Sequence, residues 1–168
     1  YFRMDGFRGA AHAVVHSISV WELVGDSQMS QHSLSGSPSS SFKNKVAIVT
    51  GASRGIGAAT AHLLANRGTR VLLVARGLSR LQDQVGLIEE FGGEACACEA
   101  DLSDANAPKE IFSQALERWD RVDILINNAA QVAVGNCQEV SLSLWEKLIA
   151  VNLRSVFLMC QQAFLTMK

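Results

Sequence analysis

The stretch Val46-Ala-Ile-Val-Thr-Gly-Ala-Ser-Arg-Gly-Ile-Gly57 decides the fold that this sequence predicts. A short apolar run ends at Thr50, three glycines follow in the spacing Gly-x-x-x-Gly-x-Gly, and a helical pattern begins at Ile56. We therefore expect a strand, a tight loop and a helix. The first N–H groups of a helix lack intrahelical partners and lie at the positive end of its dipole, so they attract a phosphate. The stretch indicates nucleotide binding; the alternative is a simple strand-to-helix turn.

Strand and helix patterns alternate from Lys45 onward. Continuous apolar runs, which are typical of parallel strands buried on both faces, lie at Val46–Val49, Arg70–Ala75 and Val122–Ile126. A weaker run at Glu94–Ala100 predicts an edge strand. Strand–helix–strand units with right-handed crossovers build a doubly wound sheet. We therefore predict an α/β fold of the Rossmann type, with a parallel sheet in the order third, second, first, fourth strand, truncated after the fourth strand and its following helix.

Between these strands the sequence predicts amphipathic helices. The residues that should face the sheet from the first helix are apolar and recur at helical spacing, namely Ile56, Ala59, Leu63 and Leu64. The third helix should follow a short polar segment in which Ser103 or Asp104 caps its first turn. Such a cap is expected because a side-chain oxygen accepts hydrogen bonds from the unpaired N–H groups at the start of a helix.

A further helix follows the last strand. It should begin at Ser143, which has the capping-box spacing to Glu146, and continue towards the end of the sequence. Its residues from Leu144 to Phe164 are apolar almost all round, which predicts burial on every side. One face can pack on the sheet, and we expect the other face to pack on a second copy of the chain. The sequence thus predicts a homo-oligomer formed through this helix.

The composition excludes several classes of protein. The 168 residues carry a net charge of −1 and are 48% hydrophobic, so one globular domain is expected and neither nucleic acid nor an anionic membrane surface is indicated as a partner. No membrane span is predicted, because the apolar stretch Leu148–Leu165 contains Asn152, Arg154 and two glutamines. The 4 cysteines form no Cys-x-x-Cys pair and no disulfide framework, which favours reduced thiols and a cytoplasmic location.

Residues 1–42 differ in composition from the rest of the chain. We assign them to an N-terminal extension that ends in a flexible linker, because Ser27–Ser41 is rich in serine. The folded domain is expected to comprise residues 43–168. Arg3 and Arg8 precede an apolar-leaning stretch, which leaves a mitochondrial presequence as the alternative to a cytoplasmic location.

No metal site is predicted. His12 and His16 are one helical turn apart, but the glutamate of the His-Glu-x-x-His zinc pattern does not follow His12. Cys96 and Cys98 should point to the same face of a strand, because side chains alternate along it. Small buried side chains explain this pair better than metal ligation does.

The end of the second predicted strand indicates which cofactor the loop would hold. In dinucleotide sites an acidic residue about 20 positions after the glycines binds the ribose of NAD. Here that place reads Val74-Ala75-Arg76, without an acid. Arg76 can instead contact a 2′-phosphate, assisted by Arg54 in the glycine loop, because a guanidinium matches a phosphate in charge and shape. The residues favour NADP(H) over NAD(H); the alternative is that both arginines are solvated surface charges.

Four motifs together resemble those of the short-chain dehydrogenase/reductase family. Thr50–Gly57 is similar to its cofactor loop, and Asp101-Leu102 is similar to the acidic position after its third strand. Asn127–Ala130 resembles its Asn-Asn-Ala-Gly motif, with alanine in the last place, and Asn152 matches its active-site asparagine. The resemblance covers the whole predicted domain, and its nearest branch is that of the 3-oxoacyl-carrier-protein reductases.

The resemblance implies a role for each of these positions. The loop would hold the pyrophosphate of the cofactor through backbone groups of Gly51, Ser53, Arg54, Gly55, Ile56 and Gly57. Asp101, followed by Leu102, would accept a hydrogen bond from the adenine amino group, unless it is only a helix-entry cap. Asn127 would lie beside the cofactor and tie neighbouring strands, unless it is only a turn residue. Asn152 should face the protein interior, bend its helix slightly and hold a water of a proton relay.

The chemistry that the resemblance implies is only partly present in this sequence. The family transfers hydride between a nicotinamide and a carbonyl or alcohol, using a tyrosine, a lysine four residues later, and a serine in addition to the asparagine. The only tyrosine here is Tyr1, and no Tyr-x-x-x-Lys occurs. We therefore expect an N-terminal fragment of an NADP(H)-dependent reductase of a small ketone or 3-oxoacyl substrate, inactive alone. The alternative is a naturally truncated, non-catalytic nucleotide-binding or interaction module.

Overall fold

Parallel strands form a single sheet in the computed structural model, which describes residues 42–167. The strands are β1 (Val46–Thr50), β2 (Arg70–Ala75), β3 (Ala95–Glu99) and β4 (Ile124–Ile126). Their order is β3-β2-β1-β4, and all neighbours pair in parallel. The predicted sheet, its strand order and the edge position of the third strand are therefore confirmed. The predicted extension, its linker and the His12–His16 pair lie outside the described residues.

The helices are α1 (Gly55–Ala65), α2 (Leu78–Glu90), α3 (Ala107–Trp119), α4 (Leu142–Ile149) and α5 (Ser155–Thr166). A π-helix, Ala150–Arg154, joins α4 to α5, so that the three elements form one helical run. A single 3₁₀ turn, Cys137–Glu139, precedes α4 within the described residues. Helices α1, α2 and α3 each connect two parallel strands, as the alternating pattern predicts.

Helices cover both faces of the sheet. One face packs against α3 and α5 through buried side chains that include Ile48, Leu72, Phe112 and Met159. The other face packs against α1 and α2 through buried side chains that include Val49, Leu73, Leu64 and Leu81. The result is the predicted doubly wound sheet. Because all strands run in parallel, their carboxyl ends lie at one edge, which is where sheets of this type bind ligands.

β4 begins two residues later than predicted, at Ile124 rather than Val122. Asp123, just before it, accepts hydrogen bonds from the Val46 amide (2.9 Å) and from Lys45 (3.1 Å) and pairs with Arg121. Burial raises the pKa of Asp123, but hydrogen bonds from Arg121, Val46 and Lys45 outweigh burial and hold the pKa below its usual value. This ionised carboxylate joins the amino ends of β1 and β4.

The face that α1 presents to the sheet differs from the prediction. Ile56 and Leu63 are 52% and 53% exposed, and Ala59 is also exposed. The residues of α1 that are buried are mostly small, namely Gly57, Ala58, Ala61, Leu64 and Ala65. Small residues let the helix backbone approach the strands closely, so the large side chains are left on the outer surface. The predicted stripe was therefore wrong in three of its four positions.

The predicted helix starts also need correction. α3 begins after Asn106, which makes no side-chain capping bond, and Pro108 lies in its first turn. Neither Ser103 nor Asp104 is the capping residue. α4 is capped by Ser141 rather than Ser143, because the Ser141 hydroxyl accepts a hydrogen bond from the Leu144 amide at 3.3 Å.

The helical run Leu142–Thr166 is buried on one side only, which corrects the prediction of burial on every side. Met159 and Ala163 are buried and pack with α3 and the sheet, whereas Leu153 and Phe157 are 62% and 63% exposed. This run of 25 residues is long and apolar enough to cross a membrane by length and composition, contrary to the expectation from its polar residues. In the structure, the buried side of this run packs into the core.

Candidate functional site

The candidate site lies at the carboxyl ends of the strands, where the glycine loop connects β1 to α1. Gly51 and Gly55 have φ values of +67° and +59°, a conformation that residues with a Cβ rarely adopt. The Ala52 amide donates to the Val74 carbonyl (3.2 Å), which holds the loop beside the end of β2. Arg54 precedes α1 in an extended conformation and makes no side-chain capping bond. The start of α1 is therefore left uncapped, as an anion site requires.

Gly51 and Gly57 are required at their positions because the loop packs directly on the segment after β4. A Cβ on Gly57 would meet the carbonyl oxygen of Gly51 and, at 2.5 Å, the Nδ2 of Asn128. A Cβ on Gly51 would meet the same Nδ2 at 2.8 Å and the Cα of Ala129 at 2.9 Å. By contrast, a Cβ on Gly55 would meet nothing within 4 Å, so only its positive φ calls for glycine.

Thr50 and Asn128 tie the carboxyl ends of β1 and β4. The Thr50 hydroxyl donates to the Ile126 carbonyl (3.2 Å) and accepts from the amides of Asn128 and Ala129, both at 3.0 Å. A hydroxyl has one donor and two acceptor sites, so these bonds use its whole capacity. The Asn128 side chain donates to the carbonyls of Thr50 (2.9 Å) and Gly51 (3.3 Å).

This tie corrects the role predicted for Asn127. The side chain that links neighbouring strands belongs to Asn128, and the sequence analysis did not single out Asn128 or Thr50 for it. Asn127 instead donates from Nδ2 to the Cys160 sulfur on α5 at 3.5 Å. A polar Thr50 at the end of an otherwise apolar buried strand was the signal that could have revealed the tie, since a buried hydroxyl needs partners.

Arg76 and Asp101 follow the ends of β2 and β3. Arg76 is exposed directly after β2. Asp101 Oδ1 accepts a hydrogen bond from the Ser103 amide at 2.9 Å. This hydrogen bond lowers the pKa of Asp101 more than burial raises it, and the positive charges of Arg76 and Lys147 lower it further. Asp101 is thus an ionised acceptor near neutral pH, and it does not cap α3, as the alternative reading proposed.

Leu102 and Ser53 are less exposed than the neighbouring site residues Asp101 and Arg54. The side chain of Leu102 is buried in the core with α3, so only its backbone can meet a ligand. In the glycine loop, Ser53 is half-buried, whereas Arg54 and Ile56 are exposed. The loop therefore presents two side chains to solvent above a backbone that is fixed on β2 and β4.

Asn152 lies in the π-helix and is exposed, which corrects the prediction that it faces the interior. Its Oδ1 accepts from the Gln131 amide at 2.8 Å, and its Nδ2 donates to the Gln131 carbonyl at 2.7 Å. These paired bonds attach the helix to the loop after β4. Ser155, three residues later, is buried. The π-helix shifts the angular position of successive side chains, and such turns often occur at functional sites.

The structure thus gathers the predicted site residues at one edge of the sheet. The glycine loop, Arg76, Asp101 and Asn127 each follow a different strand, and Asn152 is bonded to the loop after β4. Among residues 42–167, no group of three or more His, Cys, Asp or Glu side chains could hold a metal ion. The arrangement offers backbone amides, cationic side chains and a carboxylate in sequence along the edge, which suits an extended phosphate-bearing ligand.

Comparison with known proteins identifies relatives over the same part of the chain. A family model described as short chain dehydrogenase matches residues 45–168. Among curated proteins, elsinochrome reductase 1 of Elsinoe fawcettii is 36% identical over 126 residues, which are 74% of this chain and 47% of that protein. The chain spans about half the length of the curated relatives it matches.

Solved structures agree with this match. A metagenomic short-chain oxidoreductase in complex with NADP has a TM-score of 0.69 and 39% identity, over 71% of this chain and 54% of its own. A short chain dehydrogenase from Burkholderia cenocepacia, also in complex with NADP, has a TM-score of 0.73 and 35% identity, over 75% of this chain and 52% of its own. Both structures are therefore similar to this chain in amino-acid sequence as well as in fold.

Gly57→Ala should destabilise the protein, because the added methyl group has no space between Gly51 and Asn128. We expect the free energy of unfolding to fall by about 1–3 kcal/mol in denaturant titrations, as for other overpacked sites. Gly86→Ala is the matched control: Gly86 lies inside α2, and its Cβ would meet nothing within 4 Å. This control should be neutral or stabilising by up to about 1 kcal/mol. Equal unfolding free energies for the two variants would contradict the packing described.

Proposed function

Because the chain belongs to the short-chain dehydrogenase/reductase family, we propose that it forms the cofactor-binding half of an NADP(H)-dependent reductase. The nicotinamide, when bound, supplies or accepts the hydride that is exchanged with a carbonyl or an alcohol. The residues of this chain bind and orient the cofactor. The observation that carries the proposal is the glycine loop, which lies at the same sheet edge as Arg76 and Asp101 and leaves the start of α1 uncapped.

The pyrophosphate fits the glycine loop. The backbone around Ser53, Arg54 and Ile56 lies at the start of α1, where the helix dipole is positive and N–H groups lack intrahelical partners. The lack of side chains at Gly51 and Gly57 supports this assignment, because a Cβ at either position would displace the loop from the segment after β4. We assign these backbone groups to the two phosphates that join the halves of the cofactor.

The preference for NADP(H) rests on Arg76 and Arg54. Both side chains are exposed, one after β2 and one in the glycine loop, and the segment Arg76-Gly77 after β2 has no carboxylate that would repel a 2′-phosphate. Relatives that are 39% and 35% identical have been solved with NADP, which supports the same choice here. We assign the 2′-phosphate to the two guanidinium groups.

Asp101 and Asn127 would contact the two ends of the cofactor. The carboxylate of Asp101 is ionised and oriented by Ser103, so it can accept a hydrogen bond from the adenine amino group. Leu102 contributes its backbone beside it. Asn127 follows β4, and its Nδ2 donates to the Cys160 sulfur. We assign it to a place beside the nicotinamide half.

Asn152 is the residue of this chain to which we assign a role in proton transfer. Its amide oxygen and nitrogen each bond once to Gln131. Because a carbonyl oxygen accepts two hydrogen bonds and an amide nitrogen donates two, each atom keeps one further site. We propose that this remaining capacity holds a water that passes protons between solvent and the reacting hydroxyl.

The substrate we propose is a small molecule with a ketone or 3-oxoacyl group, and the 3-oxoacyl branch remains a prediction from the motifs. One relative is an elsinochrome reductase, which is consistent with carbonyl reduction as the general activity. Cys96, Cys98, Cys137 and Cys160 are all free. Free thiols suit a reducing compartment, and we place the protein in the cytoplasm on that ground.

The second candidate function is a non-catalytic nucleotide-binding or interaction module. The 168 residues, which contain no Tyr-x-x-x-Lys, are compatible with both candidates. The gene sequence beyond Lys168 distinguishes the two candidates. A Tyr-x-x-x-Lys within the next few dozen codons supports the reductase, and a stop codon directly after Lys168 supports the module.

Arg76→Asp should reduce the preference for NADPH, because it places a carboxylate where the 2′-phosphate would lie. We expect the Kd for NADPH, measured by calorimetry on the full-length protein, to rise by at least about tenfold while that for NADH changes by less than about threefold. Arg67→Asp removes the same charge after α1, at the opposite edge of the sheet, and should leave both constants unchanged. A wild-type protein that binds NADH more tightly than NADPH would contradict the assignment.

The 168-residue chain by itself should bind NADPH but should not reduce a ketone with it. Cofactor binding depends on the residues described above, whereas the family's acid catalyst and its neighbouring lysine are not in this sequence. The measurement is the loss of NADPH absorbance in the presence of a ketone, compared with the same mixture without ketone. Ketone-dependent oxidation of NADPH by this chain would show that the proposed division of labour is wrong.

We also propose that a second copy of the chain covers the exposed apolar face of the helical run Leu142–Thr166. Leu153 and Phe157 lie one helical turn apart, both more than half exposed, and Trp145 on α4 is 54% exposed. Large apolar side chains exposed in this way favour association with another protein surface. A partner formed by the same helix in a second copy would bury the face symmetrically.

Phe157→Glu should therefore convert the full-length protein from an oligomer to a monomer in size-exclusion chromatography with light scattering. A charge buried in an apolar interface without a partner costs several kcal/mol, on the order of what holds many dimers together. Phe91→Glu is the control, since Phe91 is 76% exposed at the end of α2 and its substitution should leave the mass unchanged. If wild-type protein is already monomeric at micromolar concentration, the proposed interface does not exist.

A further inference from the structure

Arg154 connects two parts of the candidate site that are 51 residues apart in the sequence. It lies at the end of the π-helix, and its guanidinium donates a hydrogen bond to the Ser103 carbonyl at 2.6 Å. Ser103 belongs to the turn that follows β3 and contains Asp101. None of the motifs found in the sequence points to this contact, because neither Arg154 nor Ser103 belongs to the four motifs.

Two hydrogen bonds to Asp101 hold the turn that follows β3. Asp101 Oδ1 accepts from the Ser103 amide at 2.9 Å, and the Asp101 carbonyl accepts from the Asp104 amide at 3.0 Å. Leu102 is anchored in the core. The Ser103 carbonyl accepts the hydrogen bond from Arg154. Arg154 thereby fixes the Ser103–Asp104 peptide group, which directly follows the Ser103 N–H that orients the Asp101 carboxylate.

The same five-residue π-helix is attached to a second loop. Asn152 bonds to both backbone groups of Gln131, after β4, while Arg154 bonds to Ser103, after β3. Residues two apart on a helix do not face the same way, so this segment reaches two loops at once. It therefore braces the loops after β3 and β4 against each other, on the edge where the proposed cofactor lies.

Arg154 reaches Asp101 through the backbone of this turn, by way of the Ser103 carbonyl. The largest influence that lowers the pKa of Asp101 is the hydrogen bond from the Ser103 amide, and the cationic side chains that add to it are Arg76 and Lys147. Arg154 is not among the cations that lower the pKa of Asp101. Removing Arg154 should therefore alter the position of the carboxylate more than its charge.

We propose that Arg154 is a positioning residue for adenine recognition, which holds the Asp101–Ser103 turn in register with the helix segment that carries Asn152. The inference rests on the proposed function, since it presumes that Asp101 receives the adenine amino group. It adds a determinant outside the residues that touch the cofactor. It also links the adenine end of the site to the segment to which proton transfer is assigned.

The test compares Arg154→Met, Arg154→Lys and Arg118→Met in the full-length protein. Methionine keeps the apolar stem of arginine but removes its donors, and lysine restores one donor. Arg118, near the end of α3 and over the Trp119 ring, is the charge-matched control. The probes are adenosine 2′,5′-bisphosphate, which presents the adenine half, and inorganic pyrophosphate, which can occupy only the glycine loop. Calorimetry gives the dissociation constants, and thermal unfolding gives Tm.

Arg154→Met should weaken the bisphosphate by about fivefold, the effect of one hydrogen bond of ordinary strength, and should leave pyrophosphate binding unchanged. Arg154→Lys should recover most of the lost affinity, and Arg118→Met should match wild type. If Arg154→Met leaves the dissociation constant of the bisphosphate unchanged, this inference is overturned and the proposed function is not. Equal weakening of both probes together with a lower Tm also overturns it, because Arg154 would then be a general brace. A wild-type protein that binds neither probe overturns the proposed function and this inference with it.

Discussion

The buried hydroxyl of Thr50 is the interaction on which the rest of the site depends. It donates to the carbonyl of Ile126, the last residue of β4, and accepts from the amides of Asn128 and Ala129. All three of its hydrogen-bonding positions are therefore used. Thr50 is 1% exposed, and each group left unpaired in such a place costs about 1–3 kcal/mol. This single side chain therefore fixes how far the chain after β4 lies from the glycine loop after β1.

The glycine loop inherits its shape from that tie. Once Asn128 lies against β1, its amide group forms the surface on which Gly51 and Gly57 must pack, and neither position has room for a Cβ. The start of α1 is then close to the ends of both central strands, and the small residues on its inner face allow the helix to stay there. The phosphate binding that we propose at this edge would thus depend on sheet packing as well as on helix polarity.

The sequence predicted the strands and their order because continuous apolar runs and parallel topology leave few choices. It could not predict which of two adjacent asparagines ties the strands, because Asn127 and Asn128 have the same side chain. They differ only in the partners that their side chains reach. It placed Ile56 inside because large apolar residues dominate a periodicity, whereas close helix packing selects small ones. It placed Asn152 inside because it assumed a regular α-helix, and the π-helix changes the face that each residue occupies.

Local charge at the site differs from what the whole chain suggests. The net charge is −1, which indicates no attraction for a ligand with several phosphates, yet Arg54, Arg76 and Arg154 lie along the edge that the glycine loop occupies. The ionised carboxylate of Asp101 adds one negative charge to this edge, and the Ser103 amide holds it in place as a hydrogen-bond acceptor. Affinity for phosphate and recognition of a base can therefore coexist at one edge, since the cations and the acceptor are attached to different strand ends and are held apart by the sheet.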